Sequence, residues 1–438
     1  MPKRGKHSEE ATGGSGEDRI SALPDAILQV VLSFLPSDEA WETCWLSRRW
    51  RHLWKSAPAL RIVQTNVTYW NVRELNNIVN YILLLRDCLP LDECEISYRG
   101  RRADEDHTEI FRFTGQWIHY ALSLCQARVL KIRICNVGIL MTRDESLVSQ
   151  FLRRVELTGV ILSEHAIDFS GCPNLEDLNL CCCTTESVQK ILSQSLRRLS
   201  IISCDFNLDS DYRIRISAPG LVSLLLDNVR GGVPLLESMP SLVRAFIRLG
   251  VSYLDTCSHE DYRDCDECLA YDDHGDGNGC VLLQGLSGAT SLELITTNRD
   301  VFIFRKDLKQ CPTFSMVKTL LLNEWCVAAD FGALACFLQH MPVLEKLVLQ
   351  LRLDVLQTWK YGRETYESCN PTVQLVLKHL KVVEIRCHKE DELVLQIVKI
   401  MSTFGVSSDR IDVQVIQQSP YVPDFSARFS FEQKEILE

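Results

Sequence analysis

The chain has 438 residues, 46% of them apolar and 24% charged, with a formal net charge of −11. That length and apolar content suffice for a buried core and for two or more structural units. Apolar clusters such as Leu28 to Leu35 and Leu221 to Leu226 stop well short of the ~18 consecutive apolar residues of a membrane span. The net negative charge disfavours nucleic acid as the main partner, so neither a membrane nor a nucleic acid is expected.

Residues 1–17 are polar and Gly/Ser-rich and read as a disordered tail without the apolar stretch of a secretory signal. Lys3, Arg4 and Lys6 in this tail are a candidate nuclear-import element, although three scattered basic residues equally suit a solvated end. The nineteen cysteines are an odd number unaccompanied by a secretory signal. They read as reduced thiols of a cytoplasmic or nuclear protein.

Leu23-Pro24 signals the first helix, because proline suits an opening turn where its missing N–H has no helical partner. Ile27, Leu28, Val31, Phe34 and Leu35 recur one, three or four residues apart and predict an apolar helix face that Pro36 closes off. Ser37 is the predicted cap of a second helix reaching about Leu46, with Asp38 and Glu39 where the helix dipole favours negative charge. Ser47 is predicted to cap a third, in which Trp50, Leu53 and Trp54 share one face and Arg48, Arg49, Arg51 and Lys55 ring the other. A unit of roughly forty residues buries little alone. Its apolar surface should be shared.

The string Leu23-Pro24, Ile27-Leu28, Phe34-Leu35 and Cys44-Trp-Leu-Ser-Arg-Arg-Trp50 followed by Leu53-Trp54 resembles the F-box. The resemblance implies that residues 18–60 dock on a Skp-type adaptor, and through it on a cullin and a RING-bound ubiquitin-conjugating enzyme. Leu23, Pro24, Ile27, Leu28, Val31 and Leu35 match the part of the motif that faces the adaptor, and Trp50, Leu53 and Trp54 complete the candidate adaptor-binding set. Read residue by residue, the same side chains also suit the plain core of a small helical bundle.

After residues 61–120, a linker and first repeat or cap region, Leu-x-x-Leu-x-Leu units return through 121–370 at the intervals of leucine-rich repeats. Leu175-x-x-Leu178-x-Leu180, Leu196-x-x-Leu199-x-Ile201, Leu221-x-x-Leu224-x-Leu226 and Leu344-x-x-Leu347-x-Leu349 are the clearest. Looser units centre on Leu130, Val155, Ala245, Leu292, Leu320 and Val383, giving ten, with the interval from Ala245 to Leu292 about twice most of the others. Alternating apolar residues make each unit a short strand stacked on the next, so the predicted fold is a continuous solenoid. Pro173, Pro219, Pro240 and Pro342 punctuate it, each read as stopping a helical segment before a strand. Cys135, Cys183 and Cys204 fall at the Asn/Cys site of the repeat and read as buried turn residues. Between strands, Val188, Ile191 and Leu192 in one stretch and Phe331, Leu334, Phe337 and Leu338 in another are spaced for outer helices.

The C-terminal run from His379 to Met401 predicts a strand and then a helix with Leu393, Val394, Ile397, Val398 and Met401 inward, closing the open end of the array. This ending resembles the FBD segment, here spanning 371–438, and the chain as a whole resembles the plant F-box/FBD/leucine-rich-repeat proteins. The expected fold class is therefore α/β: a three-helix F-box, a leucine-rich-repeat horseshoe and an FBD strand-helix cap.

The doubled interval holds an acidic segment, 255–281, with Cys257, Cys265, Cys268 and Cys280 beside His259 and His274. Cys265-x-x-Cys268 with His274 and Cys280 offers four possible zinc ligands, but the second pair fits no standard finger. An acidic insertion loop is the preferred reading, so no metal or cofactor is assigned. No nucleophile, phosphate-loop or dinucleotide motif occurs in its required context. The chain therefore reads as a non-catalytic receptor.

The remaining candidate surface is the exposed face of the repeat strands, where Arg133, Arg154, Arg198 and Arg244 flank Leu225 and Phe246. Such a strip suits an acidic or phosphorylated target segment with an apolar anchor, and equally an ordinary wetted sheet face. The function implied is substrate recognition in an SCF-type ubiquitin ligase. The alternative is a repeat-based scaffold that delivers no ubiquitin.

Overall fold

The computed structural model describes residues 19–20, 22–64, 72–99, 107–135, 139–141, 147–162, 168–185, 188–206, 213–250, 280–297, 303–327, 331–351, 377, 379–389 and 392–416. Its frame is a ladder of parallel strands paired in chain order. β1 (Ala59–Val63), β2 (Glu93–Arg99), β3 (Val129–Cys135), β4 (Arg154–Thr158), β5 (Asp177–Cys181) and β6 (Arg198–Ile202) form the first half. β7 (Ser223–Gly231), β8 (Arg244–Leu249), β9 (Ser291–Thr296), β10 (Thr319–Asn323), β11 (Lys346–Gln350), β12 (Val382–Cys387) and β13 (Ile411–Val415) form the second.

Two apolar columns set the register. The ten unit centres from Leu130 to Val383 all stand opposite one another, and Leu60, Cys94 and Ile411 extend that column at its ends. Two residues further along each strand, Ile62, Ile96 and Ile132 begin the second column, which runs to Ile385 and Val413. Both columns are buried as far as β12. The ladder thus begins at Ala59, inside the region read as F-box and linker, and the count of ten units is too low.

Coil length decides what lies behind each strand. Where column residues are about 21 to 25 apart, as from Leu178 to Leu199, an extended chain leaves no room for a helix. Those coils instead carry short strands. One set is 139–141, 160–162, 184–185 and 205–206, ending on β7, and another is 190–192, 215–217 and 235–236. The helix expected around Val188, Ile191 and Leu192 is therefore corrected: Lys190–Leu192 is a strand, with Val188 and Ile191 buried.

Longer coils carry helices. α4 (Val72–Leu85) follows β1, and α5 (His107–His119) with a π-helical turn at Tyr120–Leu124 follows β2. α6 (Leu283–Leu286), α7 (Ile303–Leu308) and α8 (Gly332–His340) lie behind β9 to β11, and α8 buries Leu334, Phe337 and Leu338 as its spacing predicts. α9 (Glu392–Thr403) buries Val394, Ile397 and Met401, with Leu393 and Val398 half-buried. It does not end the array, because β13 follows it and adds a further rung.

Two local devices turn the chain. Leu175, Leu221, Leu242 and Leu344 donate their N–H groups to Cys172, Ala218, Met239 and Met341 three residues earlier. Pro173, Pro219, Pro240 and Pro342 therefore occupy the second position of a tight turn, where a fixed φ is an advantage. Pro342 follows a helix, whereas Pro219 and Pro240 follow the short strands 215–217 and 235–236. At the other corner, Gly159, Cys182, Ser203 and Asn228 share a left-handed backbone, and the first three donate N–H to Cys181, Ile202 and Asp227 of the next strand. A Cβ on Gly159 would lie 2.0 Å from the carbonyl oxygen of Ile134.

Replacing Gly159 by Ala forces strain and a backbone collision together, and should lower stability by about 2–4 kcal/mol. Urea unfolding of the full chain measures this. A midpoint equal to the wild type would show that the corner yields freely.

Candidate functional surfaces

The N-terminal helices are split between core and solvent. α1 (Asp25–Leu32) starts after Pro24 and points Leu28 and Leu32, one turn apart, into the core. Its other side leaves Ile27, Val30 and Val31 about half exposed, with Leu23 before it and Phe34 after it, Phe34 at 71%. α2 (Ser37–Glu42) runs into a 3₁₀ turn at Thr43–Trp45, where Trp45 is 81% exposed, and Leu46 follows it into solvent. α3 (Trp50–Leu53) continues into a second 3₁₀ turn at Trp54–Ser56. Arg49 ties the bundle together, donating to the Leu23 carbonyl and, at 2.8 Å, to Asp25.

The nine candidate adaptor-binding residues therefore divide. Leu23, Pro24, Ile27 and Val31 face solvent, Leu35 and Trp50 are half-buried, and Leu28, Leu53 and Trp54 are inside. The last three cannot touch a partner while the fold is closed; they hold the helices that present the rest. Phe34, Trp45 and Leu46 are exposed apolar residues that the set omitted although all three lie in the motif string, and Val30 on α1 is another.

Neither predicted serine cap forms. Pro36 and Arg49 occupy the capping positions, and Ser37 Oγ instead accepts the N–H of Arg61, 2.9 Å away on β1. Arg61 also donates to the Ser33 carbonyl at 2.7 Å and pairs with Glu93 and Glu95 of β2. On the other side, buried Arg86, just past α4, donates to the carbonyls of Trp54 and Ala57. Burial pulls the Arg86 guanidinium below its ordinary pKa, and the same dry surroundings push the Cys94 thiol up to about 12. Arg86→Met keeps the packing stem but leaves two buried carbonyls short of donors, at a cost of about 2 kcal/mol. Hydrogen exchange should quicken at residues 54–61; unchanged protection there would remove Arg86 from the junction.

On the outward face of the ladder, charges meet partners on adjacent strands. Glu93 lies between Arg61 and Lys131, and Glu95 between Arg61 and Arg133. Asp177 is clamped by Arg154 at 3.0 Å and Arg198 at 2.5 Å. Arg248 grips the buried Asp227 with two bonds of 2.6 Å. The basic strip read from the sequence is thus largely neutralised within the sheet: Arg133, Arg154 and Arg198 are paired, and of the four candidate arginines only Arg244 has no ion-pair partner among the described residues. Leu225 is half-buried, while Phe246 packs on Ile295, Leu321 and Val348, which are 3–5% exposed. Those three were hidden in runs such as Thr319-Leu-Leu-Leu-Asn323, where apolar residues point to both faces.

Of the candidate metal ligands in the acidic segment, Cys265, Cys268 and His274 lie outside the described residues. Cys280 is buried at its end, its thiol raised to about 12 by desolvation. Its neighbours Val281, Leu282 and Leu283 donate their N–H groups to Asp307 at 2.6 to 2.9 Å. Burial raises the Asp307 pKa even so, and the carboxylate anchors the start of α6. Asp307→Ala leaves three buried donors unpaired and should cost about 3 kcal/mol or more; a thermal midpoint within a degree of the wild type would contradict that anchoring role.

A different cluster does bring ligating groups together: Cys311, Cys336 and His340, all half-buried, have donor atoms within 4.8 Å of one another. The four-residue step from Cys336 to His340 on α8 is the signal by which the sequence announces this pair.

Against known proteins, no family model matches the chain. An F-box/FBD/LRR-repeat protein of Arabidopsis thaliana is 25% identical over an alignment of 467 positions, gaps included, covering 92% of this chain and 97% of its own. A putative FBD-associated F-box protein of the same plant is 31% identical over 53% of this chain and 60% of its own. The F-box/LRR-repeat protein 13 of that plant is 27% identical over 56% of this chain and 59% of its own. The chain is thus similar to the F-box/FBD/LRR-repeat proteins over nearly its whole length, as its motifs imply.

Proposed function

We propose that this chain is the substrate-recognition subunit of an SCF-type ubiquitin ligase. On this reading the outer side of α1, with Trp45 and Leu46, docks on a Skp-type adaptor that joins a cullin and a RING-bound conjugating enzyme. The outward face of the ladder holds a target protein, and catalysis belongs to the conjugating enzyme, so the chain contributes proximity. The observation that carries the proposal is the bare apolar surface from Leu23 to Phe34. The helices already have a closed core in Leu28, Leu32, Leu53 and Trp54, so this surface is surplus to folding and suits a partner.

Point variants are the proper test. Deleting residues 18–60 would strip Leu28, Leu32, Trp54 and the start of β1 from the shared core. Ile27→Asp with Val31→Asp should reduce capture of adaptor and cullin at least about tenfold while thermal stability stays near that of the wild type. Arg244→Glu is the companion variant for the target face, since glutamate at 154 or 198 would repel Asp177 and confound folding with binding. It should weaken target capture and leave adaptor capture intact. Full adaptor capture by the double variant would refute the docking assignment.

A further inference from the structure

Cys311, Cys336 and His340 converge from two elements that the core fixes in place. Cys311 stands in the turn after α7, and Cys336 and His340 occupy successive turns of α8. The Cys336 Sγ lies 3.7 Å from His340 Nδ1, and the three donor atoms lie within 4.8 Å of one another. Nδ1 also donates to the Cys336 carbonyl at 2.8 Å, so ligation through this nitrogen requires it to give up that proton and hydrogen bond. In a tetrahedral zinc site with Zn–S near 2.3 Å and Zn–N near 2.0 Å, neighbouring ligand atoms stand about 3.5–3.8 Å apart. The Cys336–His340 pair already has that spacing, and the pairs with Cys311 lie within 4.8 Å.

The elements beneath it are rigid. The N–H of Phe314 donates to the His340 carbonyl at 2.8 Å, which fastens the Cys311 turn to the end of α8. Behind the turn, the fully buried rings of Phe314 and Phe337 lie 6.1 Å apart, and Phe337 meets Trp325 edge-on at 6.0 Å. Cys311 and Cys336 remain half-buried, so an ion can reach them from solvent. Such a preorganised set of two thiols and one imidazole is what a metal site needs from its scaffold.

We propose that Cys311, Cys336 and His340 bind one zinc ion, with a water molecule from solvent as the fourth ligand. Soft sulfur with imidazole in a tetrahedron selects zinc over the hard cations magnesium and calcium. Binding converts each coordinating thiol to a thiolate and releases its proton. Zinc here would lock the turn after α7 to α8, behind β10 and β11. This proposal is independent of the ligase reading.

The test is the metal content of the purified full chain after exhaustive dialysis, read by mass spectrometry. About one equivalent of zinc should remain in the wild type and in Cys265→Ser/Cys268→Ser, and be lost in Cys311→Ser and in His340→Gln. Cobalt(II) titration is a second readout: a near-ultraviolet thiolate-to-cobalt band should appear in the wild type and be abolished in Cys336→Ser. Less than about a tenth of an equivalent in the wild type overturns the site. So does full retention by the Cys311→Ser/Cys336→Ser/His340→Gln variant, or loss in Cys265→Ser/Cys268→Ser alone, which would move the ion to the acidic segment. A Cys311–Cys336 disulfide in protein kept under reductant, read as a two-dalton mass deficit, also overturns it.

Discussion

Two inward side chains per strand, stacked at the ~4.8 Å spacing of a parallel ladder, form the contact on which the rest of this structure depends. A slip of one residue would turn each pair outward and bring charged neighbours into the core. The columns from Leu60 to Val383 and from Ile62 to Ile385 are buried throughout. Each large aliphatic member contributes roughly 1.5–3 kcal/mol of burial, an upper estimate against a compact unfolded chain. Because every coil must return to the same two columns, the chain between them is free to vary only on the far side. That is why short coils carry strands, long coils carry helices, and the 29 residues from 251 to 279 can be accommodated between β8 and β9 without changing the register of Ala245 and Leu292.

The same constraint explains how the N-terminal helices are supported. A parallel ladder presents an open edge at its first strand, and unpaired edges invite unwanted pairing. Here α2 and the end of α1 cover β1, with Ser37 and Ser33 occupied by Arg61. Leu28, Leu32 and Trp54 belong to one continuous apolar cluster with the columns. A helical unit too small to fold alone thus takes its stability from the repeats, which leaves its outer apolar side chains unneeded for folding. The shared core also fixes the bare face of α1 relative to the sheet. A stiff connection of this kind is what a proximity mechanism requires, since a slack one would dilute the effective concentration it creates.

Much of this was legible in the sequence because period-two leucine patterns and the helix string carry their own geometry. What escaped did so for identifiable reasons. Leu91-x-x-Cys94-x-Ile96 is a full rung disguised by a cysteine, and Ser408-x-x-Ile411-x-Val413 lacks its first apolar residue. Three of the four left-handed corners use Cys182, Ser203 and Asn228, where only glycine would have signalled the turn. Apolar spacing at Val188, Ile191 and Leu192 fits a helix and a short strand alike. Within the helical motif, sequence spacing identified a face but not which members of it the repeats would cover, so Leu53 and Trp54 were grouped with Ile27 and Val31. The Cys336-x-x-x-His340 step was visible, but Cys311 joins it only through the packing of α7 against α8.

The outward face of the sheet shows how far register alone carries chemistry. Arg154, Asp177 and Arg198 stand in one column of Cα partners on β4, β5 and β6, so opposite charges are forced to within contact distance across the strands. Exposed pairs of this sort add little to stability, but they remove the net positive potential that a list of arginines suggests. From β7 onward the central outward position changes character, through Leu225 and Phe246 to Leu321 and Val348, interrupted by Glu293. On the proposed reading, a segment laid across this face would meet neutralised charge at one end and apolar surface toward the other. Long-range attraction would then contribute little to its capture, and discrimination would rest on short-range fit near β7 and β8, where Leu225 stands opposite Phe246 and Arg244 lies two residues before Phe246 on β8.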